Sequence, residues 1–173
     1  MRLTRKAFPL IAVDGARPAY DDYIVQHRRW ASEQEGAPHF ALPAVGAPYP
    51  RSSLNALQAM KWVDQYEPER MESFEFAVFE SFFGRLEDIS DTGQLHCLAS
   101  WAGLDEPDEM RRAIEAGEML DAVMRDYREA IQKYRVTGIP TVVVPGREPL
   151  VGAVPAETYA QALREAARKE NAP

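Results

Sequence analysis

The chain has 173 residues, 46% of them hydrophobic and 27% charged, and carries a formal net charge of −7. That length and composition build one domain with a packed core, or a domain carrying a sub-domain, and exclude a disordered chain. The acidic balance argues against nucleic acid and anionic membrane as partners, and no apolar run approaches the ~20 residues that cross a bilayer.

Residues 2–10 read as a strand. Leu3, Arg5 and Ala7 alternate with Arg2, Thr4 and Lys6, and Phe8-Pro9-Leu10 closes the run. The basic start resembles a secretory leader, but the apolar stretch Ala7 to Val13 is short and broken by Pro9. Cys97 is the single cysteine, so no internal disulfide forms. Together these features predict a soluble, cytoplasmic protein. Residues 14–50 are the least regular part, with Pro18, Pro43, Pro48 and Pro50 spread through them. Within this region Tyr20 to Glu35 reads as a helix with Tyr23, Ile24, His27 and Trp30 at helical spacing, and Gly36 reads as its stop.

The centre is helical throughout. Ser52 or Ser53 caps a helix holding Leu54, Leu57, Met60 and Val63. Pro68 suits the first turn of the next helix, whose stripe is Met71, Phe74, Val78 and Phe82, widened by Phe79 and Phe83 and ended by Gly84. Ser90 and Asp91 are caps for a helix with Leu95, Leu98, Ala99 and Ala102, closed by Gly103. Pro107 opens a short helix through Ile114, which Gly117 breaks. Met119 to Arg135 follows as a longer helix with Leu120, Val123, Met124, Tyr127, Ile131 and Tyr134 inward. The chain then gives a strand at Thr141–Val144, a Pro145-Gly146 turn, a strand over residues 149–153, and a last helix opened by Pro155. Tyr159, Ala162, Leu163 and Ala166 form that helix's inward face.

Few residues carry chemistry by pattern alone. Cys97 has His96 beside it in sequence, but neighbouring helix side chains diverge. The spacing reads Cys97 as a small, inert helix residue near Trp101. His27, His39 and His96 show no metal-ligand spacing, so no metal is expected. The acidic pairs Asp105/Glu106 and Asp108/Glu109 stand at a helix start, where they complement the dipole.

One stretch is more specific. Val136-Thr137-Gly138-Ile139-Pro140-Thr141 runs straight into a β-branched strand. Proline donates no ladder hydrogen bond, so Pro140 must open that strand or sit at its edge. The block resembles the cis-proline loop of the thioredoxin superfamily, most of all that of the DsbA family, whose members end with this loop, a hairpin and a helix. Other segments fall in the same order. Phe8-Pro9-Leu10 is similar to the end of the family's second strand, and Leu54-Asn55-Ala56-Leu57-Gln58-Ala59 to the first helix of its inserted domain. Phe79-Glu80-Ser81-Phe82-Phe83, then Asp88-Ile89-Ser90-Asp91, Leu98-Ala99 and Ala102-Gly103-Leu104-Asp105, continue the likeness. It covers residues 1–10 weakly and about 51–168 well. Within the family it points to the FrnE-like and 2-hydroxychromene-2-carboxylate isomerase-like branches.

The resemblance implies an α/β, thioredoxin-like fold with an all-helical insertion. Residues 1–50 and 136–173 would form the thioredoxin-like core, and residues 51–135 the helical insert. The family works as thiol–disulfide oxidoreductases or isomerases through a Cys-x-x-Cys on the first βα unit, a motif this chain lacks. The sequence starts in register with the family's second strand, so the N-terminal βα unit is missing from the expected fold. Activity as a dithiol enzyme is therefore not expected of the chain in this form. The alternatives are a glutathione-dependent isomerase or transferase relative, and a non-catalytic peptide-binding or chaperone-like module. By the same resemblance Gly138, Ile139 and Pro140 would pair with a peptide substrate. Ser52 and Ser53 lie where glutathione-using relatives hold a small thiol or aromatic substrate. Glutathione is the only cofactor the family suggests. A missing central strand would leave edges unpaired and favour a homodimer.

Overall fold

The computed structural model describes residues 4–10 and 19–170. Among these, seven α-helices and two short strands form. They are α1 (Asp22–Ser32), α2 (Leu54–Tyr66), α3 (Met71–Phe79), α4 (Thr92–Trp101), α5 (Pro107–Glu115), α6 (Leu120–Gln132), β1 (Thr141–Val142), β2 (Leu150–Val151) and α7 (Ala156–Glu170). The chain divides into two compact units: residues 9–123, and residues 1–8 with 124–173.

The first unit is a helical core. Trp62 and Val63 of α2, Phe74 and Val78 of α3, Leu95 and Leu98 of α4, and Met110 and Ile114 of α5 pack into one continuous buried cluster. Local chemistry sets the helix ends. The Asp91 side chain accepts from the backbone N–H groups of Gly93 and Gln94, capping α4. Pro68 opens a 3-10 turn that leads into α3, and Pro107 opens α5. Gly103 and Gly117 close α4 and α5 in the left-handed region, at φ of 79° and 72°. The stripe expected from Met71 to Phe83 does not run on as one α-helix. Residues Glu80–Gly84 widen into a π turn, whose extra residue rotates the face. Phe74 and Val78 stay buried while Phe79 is half exposed.

In α1 the expected stripe points the other way. Tyr23 and Trp30 are exposed, and the one buried side chain of the helix is Arg28. Its guanidinium lies 4.6–5.2 Å from the rings of Tyr20, Phe82 and Phe83. It also donates to the Phe82 and Phe83 carbonyls, each at 3.3 Å, and to the Tyr20 hydroxyl at 3.2 Å. An arginine at the carbonyl end of the π turn satisfies acceptors that the helix leaves open. The aromatic faces stabilise its charge. Burial pushes its pKa down, partly offset by the two tyrosines Tyr20 and Tyr49.

The second unit is smaller and more open. Strand β1 pairs antiparallel with β2, Thr141 opposite Val151 and Val142 opposite Leu150. The ladder is shorter than the Thr141–Val144 pattern promises. The next carbonyl that would face β2, that of Val144, instead accepts the Arg147 N–H at 3.2 Å across the Pro145-Gly146 turn. Residues 4–9 belong to no helix or strand, so the strand expected there does not form among the described residues. They are held by α6 instead. Asp126 is buried and accepts from the Lys6 ammonium at 3.0 Å and the Ala7 backbone N–H at 2.9 Å. Lys6 also reaches Glu129 at 3.0 Å, and Phe8 packs edge-on against Tyr127. In α7, Ala162 is fully buried, but Leu163 faces outward rather than inward.

Candidate functional site

The loop before β1 is built by short-range constraints. The Ile139–Pro140 peptide bond is cis. The Thr141 hydroxyl donates to the Gly138 carbonyl at 2.6 Å and closes the loop on itself. Gly152 N–H donates to the Pro140 carbonyl at 2.7 Å, extending the ladder one residue past β1. A Cβ built on Gly138 would meet only a Val151 methyl at 3.7 Å, an ordinary contact. Ile139 and Pro140 are exposed.

This register decides where the remaining backbone groups point. Pro140 and Val142 are the residues whose backbones face β2. In an antiparallel pair the intervening residue faces the opposite edge. Thr141 therefore turns its N–H and C=O groups away from β2. Among the described residues neither Thr141 nor Ile139, in the bend before it, finds a backbone partner. The result, among the described residues, is a short open edge at Thr141 beside the exposed Ile139–Pro140 bend.

The sequence-selected residues do not form one site within either unit. Gly138, Ile139 and Pro140 share the loop in the second unit. Ser52 and Ser53 belong to the first. There Ser52 is buried and its hydroxyl accepts from Leu54 N–H at 3.0 Å, at the start of α2, while Ser53 makes no side-chain capping bond. Cys97 departs from the sequence expectation, since it is exposed on α4 rather than buried. His96, its neighbour, is turned to Asp108 at 2.9 Å. Three carboxylates, Glu67, Glu69 and Asp105, bring oxygens within 4.8 Å of one another. Both Glu67 oxygens already accept backbone N–H groups, from Asp105 at 2.8 Å and Glu106 at 3.0 Å, which makes Glu67 the anchor for the entry to α5.

Comparison with known proteins agrees with the local geometry. The sequence profile of the DSBA-like thioredoxin domain matches residues 14–164. A crystal structure of a probable DsbA oxidoreductase from Streptomyces coelicolor is similar at 26% identity with a TM-score of 0.66, over 88% of this chain. The chain spans 63% of that protein's length. No curated protein matches. No helix among the described residues is long and apolar enough to cross a membrane.

Proposed function

Because the chain belongs to the family of DsbA-like thioredoxin domains, we propose that it is the substrate-holding part of a thiol–disulfide oxidoreductase. It binds extended peptide along the free edge of β1 and performs no dithiol exchange by itself. The observation that carries the reading is the outward-facing backbone of Thr141 beside the exposed Ile139–Pro140 loop. Peptide recognition by strand addition draws affinity from such main-chain groups and selectivity from alternate side chains. Dithiol exchange needs an attacking thiolate and a second sulfur to resolve the mixed disulfide. The chain holds one cysteine, Cys97. A cytoplasmic setting, a peptide partner and pairing of two copies along the same edge belong to this proposal. A small thiol such as glutathione has less support, because the Ser52 hydroxyl already serves the α2 backbone.

Two assays test the reading. The pure protein should not turn over an insulin disulfide. Turnover that disappears in Cys97→Ser would sink the claim of inactivity. An extended peptide should bind, and the same peptide N-methylated at alternate residues should not, since methylation removes its donors. Equal binding of both peptides would contradict strand addition.

A further inference from the structure

At the far end of the hairpin from the Ile139–Pro140 loop, the structure assigns a second binding site, an anion-selective cleft for small aromatic carboxylates or phosphates. It has a volume of about 540 Å³ and is framed by residues 133–136, by the hairpin tip 143–149 and by Val151. Three cations line it, Lys133, Arg135 and Arg147, against one carboxylate, Glu148. Glu129 and Glu165, outside the lining, pair with Lys133 and Arg147, so the charge left to a ligand is that of Arg135.

The three cations differ in what they already hold. Lys133 reaches Glu129 at 2.9 Å and lies 4.7 Å from the centre of the Tyr134 ring. Arg147 reaches Glu165 at 3.1 Å. Arg135 has no side-chain hydrogen bond or ion pair among the described residues. It is also one of two non-glycine residues in the left-handed region, at φ of 51°. Glycine would take that backbone without a steric penalty. The left-handed turn ends α6, where Val136 N–H donates to the Ala130 carbonyl at 3.0 Å, and it leaves the Arg135 side chain exposed beside the cleft with no partner among the described residues.

The walls set the rest of the ligand. Val143 and Val151 are 40% and 47% exposed, on the same face of the hairpin, and Tyr134 adds an aromatic wall. A flat apolar body fits against these three side chains, with its anionic head toward the Arg135 guanidinium. Guanidinium forms paired hydrogen bonds to carboxylate or phosphate oxygens. Neutralising the carbonyl end of α6 accounts for Lys133 and Arg135, and Glu165 accounts for Arg147, but neither accounts for the half-exposed Val143 and Val151 beside them.

Calorimetry on the full chain tests this with 2-naphthoate, its neutral analogue 2-naphthylmethanol, and inorganic phosphate. Naphthoate should bind, and the alcohol and phosphate should each bind at least about tenfold more weakly, a step of ~1.4 kcal/mol. Arg135→Gly suits the backbone, so the fold survives it, and it should weaken naphthoate about tenfold while leaving peptide binding at β1 unchanged. Arg147→Met should weaken it less. Unchanged naphthoate affinity in Arg135→Gly, equal binding of the alcohol, phosphate binding as tight as naphthoate, or no naphthoate binding at all would each overturn the assignment.

Discussion

The helical unit and the hairpin unit are stabilised in opposite ways. In the first, four helices turn apolar side chains inward, and Val63, Phe74, Leu95 and Met110 have no exposed surface. In the second, a two-residue ladder pairs on one side only among the described residues, and Ile139, Val143, Val151 and Leu163 stay 40–47% exposed. The contrast separates stability from recognition. Packed helices give rigidity but present few unpaired backbone groups. The hairpin keeps donors, acceptors and apolar surface accessible, which is what a peptide or a small anion needs.

The largest expected effect lies in the helical core. Phe74→Ala should cost about 3–5 kcal/mol, read as a shift in the urea midpoint of the far-ultraviolet circular dichroism transition. A cost under ~1 kcal/mol would mean that the core is not close-packed. A smaller effect should follow from cutting the tether in the other unit. Asp126→Ala leaves the Ala7 N–H without its acceptor and leaves Lys6 with Glu129 alone of its two carboxylates. It should cost ~1–3 kcal/mol, and hydrogen exchange should speed up at Ala7 and along the α6 segment 124–132 while the α2 and α4 amides keep their protection.

The pH dependence sharpens the same contrast. Glu129 is held below its ordinary carboxyl pKa of 4.5, first by Lys133 and then by Lys6. Lys6 is raised above 10.5, chiefly by Glu129 and then Asp126. A depressed carboxylate contributes stability above its unfolded pKa and loses it as pH falls through the folded value. A raised ammonium contributes below its unfolded pKa and loses it as pH rises through the folded one. The Lys6 tether should therefore be strongest between about pH 4.5 and 10.5 and fail at both extremes. Lys6→Met should flatten that dependence, measured as melting temperature against pH. The smallest effect should come from Arg135→Gly. Relief of the left-handed backbone, less the entropy glycine adds to the unfolded chain, should leave a net gain of about 0.5–1 kcal/mol.

Local chemistry was legible in the sequence and long-range polar chemistry was not. Asp91, Pro107, Gly103 and Gly117 mark helix ends through their own side chains or backbone, so reading neighbours suffices. The loop Gly138–Thr141 was legible for the same reason. Arg28, Glu67 and Asp126 were missed because their partners lie 54, 38 and 119 residues away in sequence. A charged residue has no period that reveals burial. The helical spacing of Tyr23 and Trp30 marks α1 but not its buried face, since α1 buries Arg28 and leaves both aromatics exposed. Cys97 misled, since small apolar character predicts burial and α4 turns it outward. The signal that would have pointed to Arg28 is the aromatic set Tyr20, Phe82 and Phe83 around a residue with no carboxylate three or four positions away on its own helix.

The central claim, that the free edge of β1 pairs with extended peptide, is tested most directly by amide hydrogen exchange with and without bound peptide. Exchange should slow at Thr141, whose N–H faces the open edge, and stay unchanged at Gly152, which is already bonded to Pro140. Peptide binding that leaves Thr141 exchanging as fast as before would contradict the account.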